Sequence, residues 1–206
     1  MAKIEQFLVG EMDNFTYLII DEKNKNSIMV DPSWNLEVIF DYLKKNNIIN
    51  KFVINTHSHF DHVIGNDEVV NATESKIIQH KSSPLKKDME VNDGQTIKFN
   101  DINLKIIHTP GHSPDSMCIL IDDEKILTGD TLFVGSCGRI DLPGSNPIDM
   151  YHSIYDKIYN LDENLIVYPG HHYGSTKTSI LRDEKRNNFV FKFQNQQEFL
   201  RYMNTY

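Results

Sequence analysis

Nine histidines occur in this chain of 206 residues, and three of them fall in the single stretch Thr56-His57-Ser58-His59-Phe60-Asp61-His62. On an extended strand end, side chains two apart point the same way, so His57 and His59 can grip one cation. With a helix starting near Asp61, Asp61 and His62 turn toward a second cation beside the first. Neutral imidazole and carboxylate are suitable donors for zinc, and also for iron or manganese. Burying four such polar groups together without an ion would be costly. Three further segments bring similar chemistry: His108-Thr109-Pro110-Gly111-His112, Thr128-Gly129-Asp130-Thr131 and Pro169-Gly170-His171. Each puts one ligand-type side chain just after an apolar run, beside a glycine that lets backbone approach closely. Singly, such features are turns and idle loop histidines. Together they make a candidate set of seven metal ligands: His57, His59, Asp61, His62, His112, Asp130 and His171.

The elements around these segments are short. β-favouring runs at 15–20 and 28–30 flank the turn Asn24-Lys25-Asn26, a hairpin signal. Leu36, Ile39, Phe40 and Leu43 follow at helical spacing. A buried strand at 52–54 leads directly into His57. More strands are expected at 76–79, 96–99, 104–107, 117–121, 126–128 and 165–168. A helix starting near Pro147 carries Met150, Ile154, Ile158 and Leu161 on one face, with Pro in its first turn. The segments 180–188 and 196–203 read as helical. Strands dominate each half, which fits two mixed sheets packed together with helices outside. No Gly-x-Gly-x-x-Gly follows the first strand, so a dinucleotide-binding sheet is not indicated. No repeat, low-complexity tract or linker divides the chain, so one domain over 1–206 is expected.

On these residues the chain resembles the metallo-β-lactamase superfamily. The pattern His-x-His-x-Asp-His, followed by a distant His, Asp and His, runs through most of the sequence. The resemblance implies an α+β, four-layer αβ/βα sandwich with the site on one edge of the two sheets. It further implies that His57, His59 and His112 hold one divalent ion and Asp61, His62 and His171 another, with Asp130 bridging them. Zinc is the first choice of metal. Within the superfamily the chain is most similar to glyoxalase II-like hydrolases, through Asp31-Pro32, 108–113, 128–133, Cys137-Gly138-Arg139 and 168–173. That similarity implies hydrolysis of a small-molecule thioester by hydroxide generated at the metal. Asp61 would act as a catalytic residue orienting the hydroxide, and Arg139 and Tyr173 would contact substrate. The ordinary alternatives are a surface ion pair for Arg139 and packing for Tyr173. The chain ends at residue 206, leaving after His171 too little for the helical region with which full-length glyoxalase II enzymes grip glutathione. Arg182 and Lys185, one turn apart, would be a partial substitute or simply a solvated basic face.

A rival reading is persulfide dioxygenase, an oxidoreductase branch that shares the ligand pattern but uses one iron, here held by His57, His112 and Asp130. Other classes fit less well. The net charge of −8 argues against a nucleic-acid partner. No apolar run is long enough to span a membrane. Two cysteines, Cys118 and Cys137, do not make a disulfide scaffold, and with no secretory leader in the sequence a reducing cytoplasm is the expected location. Cys118 reads as core and Cys137 as a loop residue, with neither a nucleophile.

Overall fold

The computed structural model describes residues 2–203. Its first half alternates strands and short helices: β1 (Lys3–Val9), β2 (Asn14–Asp21), β3 (Asn26–Val30), α1 (Glu37–Asn46), β4 (Ile49–Ile54), α2 (Phe60–Val63), α3 (Asn66–Thr73), β5 (Lys76–His80) and β6 (Met89–Val91). The second half holds β7 (Thr96–Phe99), β8 (Ile102–His108), β9 (Met117–Ile121), β10 (Lys125–Gly129), α4 (Pro147–His152), β11 (Ile166–Pro169), β12 (Ser179–Ile180), α5 (Leu181–Asn187) and α6 (Gln196–Met203). Strands β1 to β6 form one sheet in sequence order, and β7 to β12 a second. Both are mixed: β3, β4, β5 and β6 run parallel, as do β10 and β11, while the other neighbours are antiparallel.

Period-two alternation sorts the side chains into layers. On β2, Phe15, Tyr17 and Ile19 enter the core between the sheets, where they meet Leu104, Ile106, Met117, Ile119 and Ile121. Their neighbours Leu18 and Ile20 face outward and are covered by Leu36, Ile39, Leu43 and Val69 from the α1 and α3 side. On the other sheet, Cys118, Leu120 and Ile126 face a separate cluster containing Met150, Ile154, Val190 and Phe199. Helix, sheet, sheet, helix is thus the order of the four layers, a metallo-β-lactamase fold.

Several elements depart from the sequence expectation. β1 has no strong alternation because it is an edge strand with mostly half-exposed residues, yet it pairs with β2 from Lys3↔Ile20 to Val9↔Asn14. β6 and β12 are similarly short edge strands, and α3 was not anticipated. The helix from Pro147 starts where the pattern places it, with the Asn146 side chain accepting from the Ile148 and Asp149 N–H groups. It does not run on as regular α-helix: a π-helical turn occupies Ser153–Lys157 and a 3-10 turn Ile158–Asn160. Among the described residues no helix is long and apolar enough to cross a membrane.

Strand direction decides where chemistry collects. The carboxyl ends of β3 and β4 and the amino end of β2 share one edge of the first sheet, and β8, β10 and β11 end together in the second. Backbone bonds from Phe15 N–H to Gly170 O (2.8 Å) and from Met117 N–H to Thr56 O (2.9 Å) stitch the two sheets together at that edge.

Candidate metal centre

The loops leaving β4, β8, β10 and β11 all deliver ligand-type side chains to this seam. His57, His59 and His112 bring their ligand atoms within 4.8 Å of one another, and so do Asp61, His62 and His171. A third group at the same spacing, His57, His62 and Asp130, ties the two together. Asp130 reaches both sides, with Oδ2 at 3.4 Å from His112 Nε2 and 3.3 Å from His171 Nε2, and Oδ1 at 3.4 Å from His62 Nε2. All seven sequence candidates therefore converge.

The donors fit cations. His57 Nε2 and Asp130 Oδ1 are buried without a hydrogen-bond partner. His59 Nδ1 faces His112 Nε2 at 2.8 Å, and His62 Nε2 faces His171 Nε2 at 3.1 Å. The outer nitrogens of these rings are already engaged: His112 Nδ1 donates to Arg139 O and His171 Nδ1 to Met12 O, each at 2.8 Å. That fixes the tautomers with the Nε2 lone pairs pointing inward, where they repel unless a proton or metal lies between them. Burial, with the nearby His62 charge, pushes His57 well below the ordinary histidine range, into its neutral ligand form. Burial opposes ionisation of Asp61, but hydrogen bonds from His171 and His62 outweigh it and hold the carboxyl far below its usual range. Burial is likewise overcome at Asp130 by the His62 and His171 charges. Burial works against the His171 charge, but Asp130 and Asp61 together lift it to about 9. The metal-free site thus balances its carboxylates with imidazole protons, and a bound cation takes the place of those protons.

A further set of residues, which the ligand pattern did not single out for a role, orients the ligands. Asp31, at a left-handed φ of 51°, faces His62 Nδ1 at 3.0 Å and accepts from the Thr56 N–H at 2.7 Å and hydroxyl at 2.6 Å. Asn14 Nδ2 donates to Asp61 Oδ2 at 2.9 Å. A signal for Asp31 existed: a ligand histidine's second nitrogen needs an acceptor, though sequence does not say which carboxylate supplies it. Two glycines admit the close packing. Gly129 has φ +48°, and a Cβ there would lie 2.6 Å from Thr56 Oγ1; a Cβ on Gly170 would run into Asp130 Oδ1.

Above the ligands opens a cavity of about 630 Å³, lined by five of the seven candidate ligands (not His57 or His62) and by Met12, Phe60, Phe133, Leu142, Pro143 and Tyr173. Arg139 and Tyr173 both line it, as a substrate role requires. Arg139, however, also forms the surface ion pair, its Nε and one Nη donating to Asp141 at 2.6 and 2.7 Å. Tyr173 stacks on His171, ring centroids 4.6 Å apart. Arg182 and Lys185 do not line this cavity: Arg182 pairs with Glu163 at 3.1 Å, and Lys185 donates to Leu161 O at 2.9 Å. Burial pushes the Cys137 thiol up to about 12 and Cys118 to about 11, so neither is a ready nucleophile.

One wall of the cavity is anchored from α5. Buried Glu184 accepts from the Gly135 N–H at 2.9 Å and from Asn188 Nδ2 at 2.8 Å, while Asn188 Nδ2 also donates to Ser136 O at 3.0 Å. The loop pinned this way continues to Arg139, whose carbonyl orients His112. Replacing Asn188 by Ala removes its bonds to Ser136 O and Glu184, leaving the Gly135–Glu184 bond, at a cost of about 1–3 kcal/mol. The expected outcome is a raised KM and faster loss of metal to a chelator, read by steady-state kinetics and metal analysis.

Two histidines outside the site form a stack of their own: His80 and His108 lie 3.9 Å apart, with planes 11° from parallel. Burial, then the adjacent His108 charge, lowers His80 to about 4, and its Nδ1 accepts from the Ser82 N–H. Between the free histidine value of about 6.5 and 4, the unfolded chain takes up a proton that the folded chain refuses. This contribution to stability is therefore full above about pH 6.5 and declines as pH falls toward 4. Thermal melts of the metal-free protein should show a shallower decline over that window in His80→Gln than in the wild type.

Residues 9–171 match the Metallo-beta-lactamase superfamily. Over 200 residues the chain is 32% identical to a probable polyketide biosynthesis zinc-dependent hydrolase, BaeB, of Bacillus velezensis, covering 93% of this chain and 87% of that protein. It is 32% identical over 208 residues to the hydroxyacylglutathione hydrolase of Dictyostelium discoideum, covering 94% and 76%. The crystal structure of ETHE1 from Myxococcus xanthus, whose mammalian namesakes are persulfide dioxygenases, superposes with a TM-score of 0.92 at 26% identity, covering 98% of this chain and 90% of that one. With its fold, its convergent ligands and these relatives in agreement, this chain belongs to the metallo-β-lactamase superfamily of metal-binding enzymes.

Proposed function

We propose that the enzyme hydrolyses thioesters, using two divalent cations, with zinc the first choice. The carrying observation is that the seven donors gather in three overlapping groups, with Asp130 in reach of His62, His112 and His171, which is more than one ion's triad requires. Divalent cations held there supply water activated for attack at neutral pH and a positive field for a carbonyl oxygen. The chain's own residues do the rest. Asp61 lines the cavity with its carboxylate held ionised and its Oδ2 fixed by Asn14, and it would accept a hydrogen bond from the attacking water. Tyr173, stacked on His171, borders the space where the substrate's reacting end would lie. In the overall reaction the water oxygen bonds to the acyl carbon and the carbon–sulfur bond breaks. The sulfur leaves with the electron pair and is released as the thiol once protonated, and the acyl group leaves as the acid.

The persulfide dioxygenase reading is supported by the likeness to ETHE1, and one experiment separates the two. Zinc-loaded and iron-loaded protein are assayed anaerobically for thiol release from acyl thioesters, and aerobically for oxygen uptake with glutathione persulfide, alongside metal counting. Thiol release without oxygen and two ions per chain are expected. Oxygen uptake by a one-iron form, with no thioester cleavage, would replace the hydrolase reading by the dioxygenase one.

A further inference from the structure

Beyond the metal ligands, the cavity has a character of its own. Much of its remaining wall is apolar, supplied by Met12, Phe60, Phe133, Leu142, Pro143 and Tyr173. Several of these side chains stand in water in the free protein, Phe60 at 61% exposure, Tyr173 at 54% and Met12 at 39%. Phe60 is braced rather than loose, meeting Trp34 edge-to-face with centroids 6.1 Å apart. Large apolar groups left exposed in a cluster around a concave site are a binding surface for apolar matter. A volume of about 630 Å³ is also far more than a three-carbon hydroxyacyl group fills.

Charge points the same way. Among the described residues lining the cavity, Arg139 is the one Lys or Arg, and Asp141 occupies its guanidinium through two bonds. A carboxylate on the substrate competes with Asp141 for that cation, whose charge the pair already offsets, and it approaches a chain with a net charge of −8. An uncharged substrate meets neither obstacle.

We infer that the preferred substrate is an apolar acyl chain on an uncharged thiol arm, with Phe60 and its neighbours holding the chain and Asp141 suppressing the affinity of Arg139 for carboxylate-bearing thiols. This rests on the thioester hydrolase reading above and adds its substrate class.

The test compares kcat/KM of the zinc-loaded protein for three compounds: the octanoyl and acetyl thioesters of N-acetylcysteamine, and lactoylglutathione. The octanoyl compound is expected to exceed both others by about tenfold or more, which burial of as few as two methylene groups supplies. Phe60→Ser should cut the octanoyl-to-acetyl ratio about tenfold, a ratio taken within one preparation and so independent of the fraction folded. Asp141→Asn should raise kcat/KM for lactoylglutathione about two- to fivefold, the scale of an exposed ion pair, without raising it for the octanoyl compound. A preference for lactoylglutathione, or an octanoyl-to-acetyl ratio unmoved by Phe60→Ser, overturns the apolar assignment while leaving thioester hydrolysis standing. Unchanged lactoylglutathione kinetics in Asp141→Asn overturns the role given to Asp141. Absence of turnover with all three compounds overturns the hydrolase reading itself, and this inference with it.

Discussion

Asp130→Ala is expected to lose bound metal and turnover together, each by more than about a hundredfold, beyond the 10–100-fold range typical of residues that only orient ligands. Among the described residues, Asp130 is the one side chain within ion-pair distance of His62, His112 and His171 at once, with three contacts of 3.3–3.4 Å. Its loss removes a shared donor and leaves His112 without a carboxylate neighbour, while Nε2 of His62 and of His171 keeps only Asp61 at 3.3 Å. His57→Ala should act in the same direction, because His57 belongs to two of the three ligand groups. Metal content by elemental analysis and turnover on an acyl thioester are read on the same sample, with circular dichroism reporting the fold. Either variant retaining both metal and activity would contradict the site as drawn.

Asp31→Ala is expected to produce the largest change in stability. Both oxygens of Asp31 are committed, to the Thr56 N–H and hydroxyl and to His62 Nδ1, and the residue is 2% exposed. Truncation leaves a backbone donor and a ligand imidazole unpaired inside the protein, and removal of one partner from such a buried network costs about 3–5 kcal/mol. Ala also has to adopt the left-handed φ of 51°, which Asp tolerates better. His62 loses the partner that sets its tautomer, so metal affinity should fall about 10–100-fold. Chemical denaturation with and without zinc separates the two effects: the metal-free protein reports the structural loss, and the extra stabilisation on adding zinc reports affinity.

The strongest readings from sequence were those in which chemistry is carried by residue type at a strand end. Imidazoles and carboxylates bunched at 56–62, and singly after three later apolar runs, have few uses other than metal binding. The β4 run leads straight into His57, and β11 straight into His171, so the local pattern already fixed which side chains leave the sheets and where. Layering was legible for a similar reason: strands such as β2 and β9, apolar on both faces, must be covered twice. Weakly patterned edge strands such as β1 and β12 escaped notice because half-exposed residues carry little periodic signal. The π-helical turn at Ser153–Lys157 escaped because its residues keep helical spacing while the hydrogen-bond ladder changes.

What sequence determined by itself, then, was the set of candidate ligands and the kind of fold that gathers them, since both follow from local chemistry and periodicity. Tertiary structure alone decided which partner each polar atom takes. It set Asp31 against His62, Glu184 and Asn188 beneath the 133–136 turn, and Asp141 on Arg139 at the cavity. It also made the apolar cavity, whose walls come from segments as far apart as Met12 and Tyr173. Hydrogen bonds and cavity walls join residues remote along the chain, and only the packing of one sheet on the other brings them within reach.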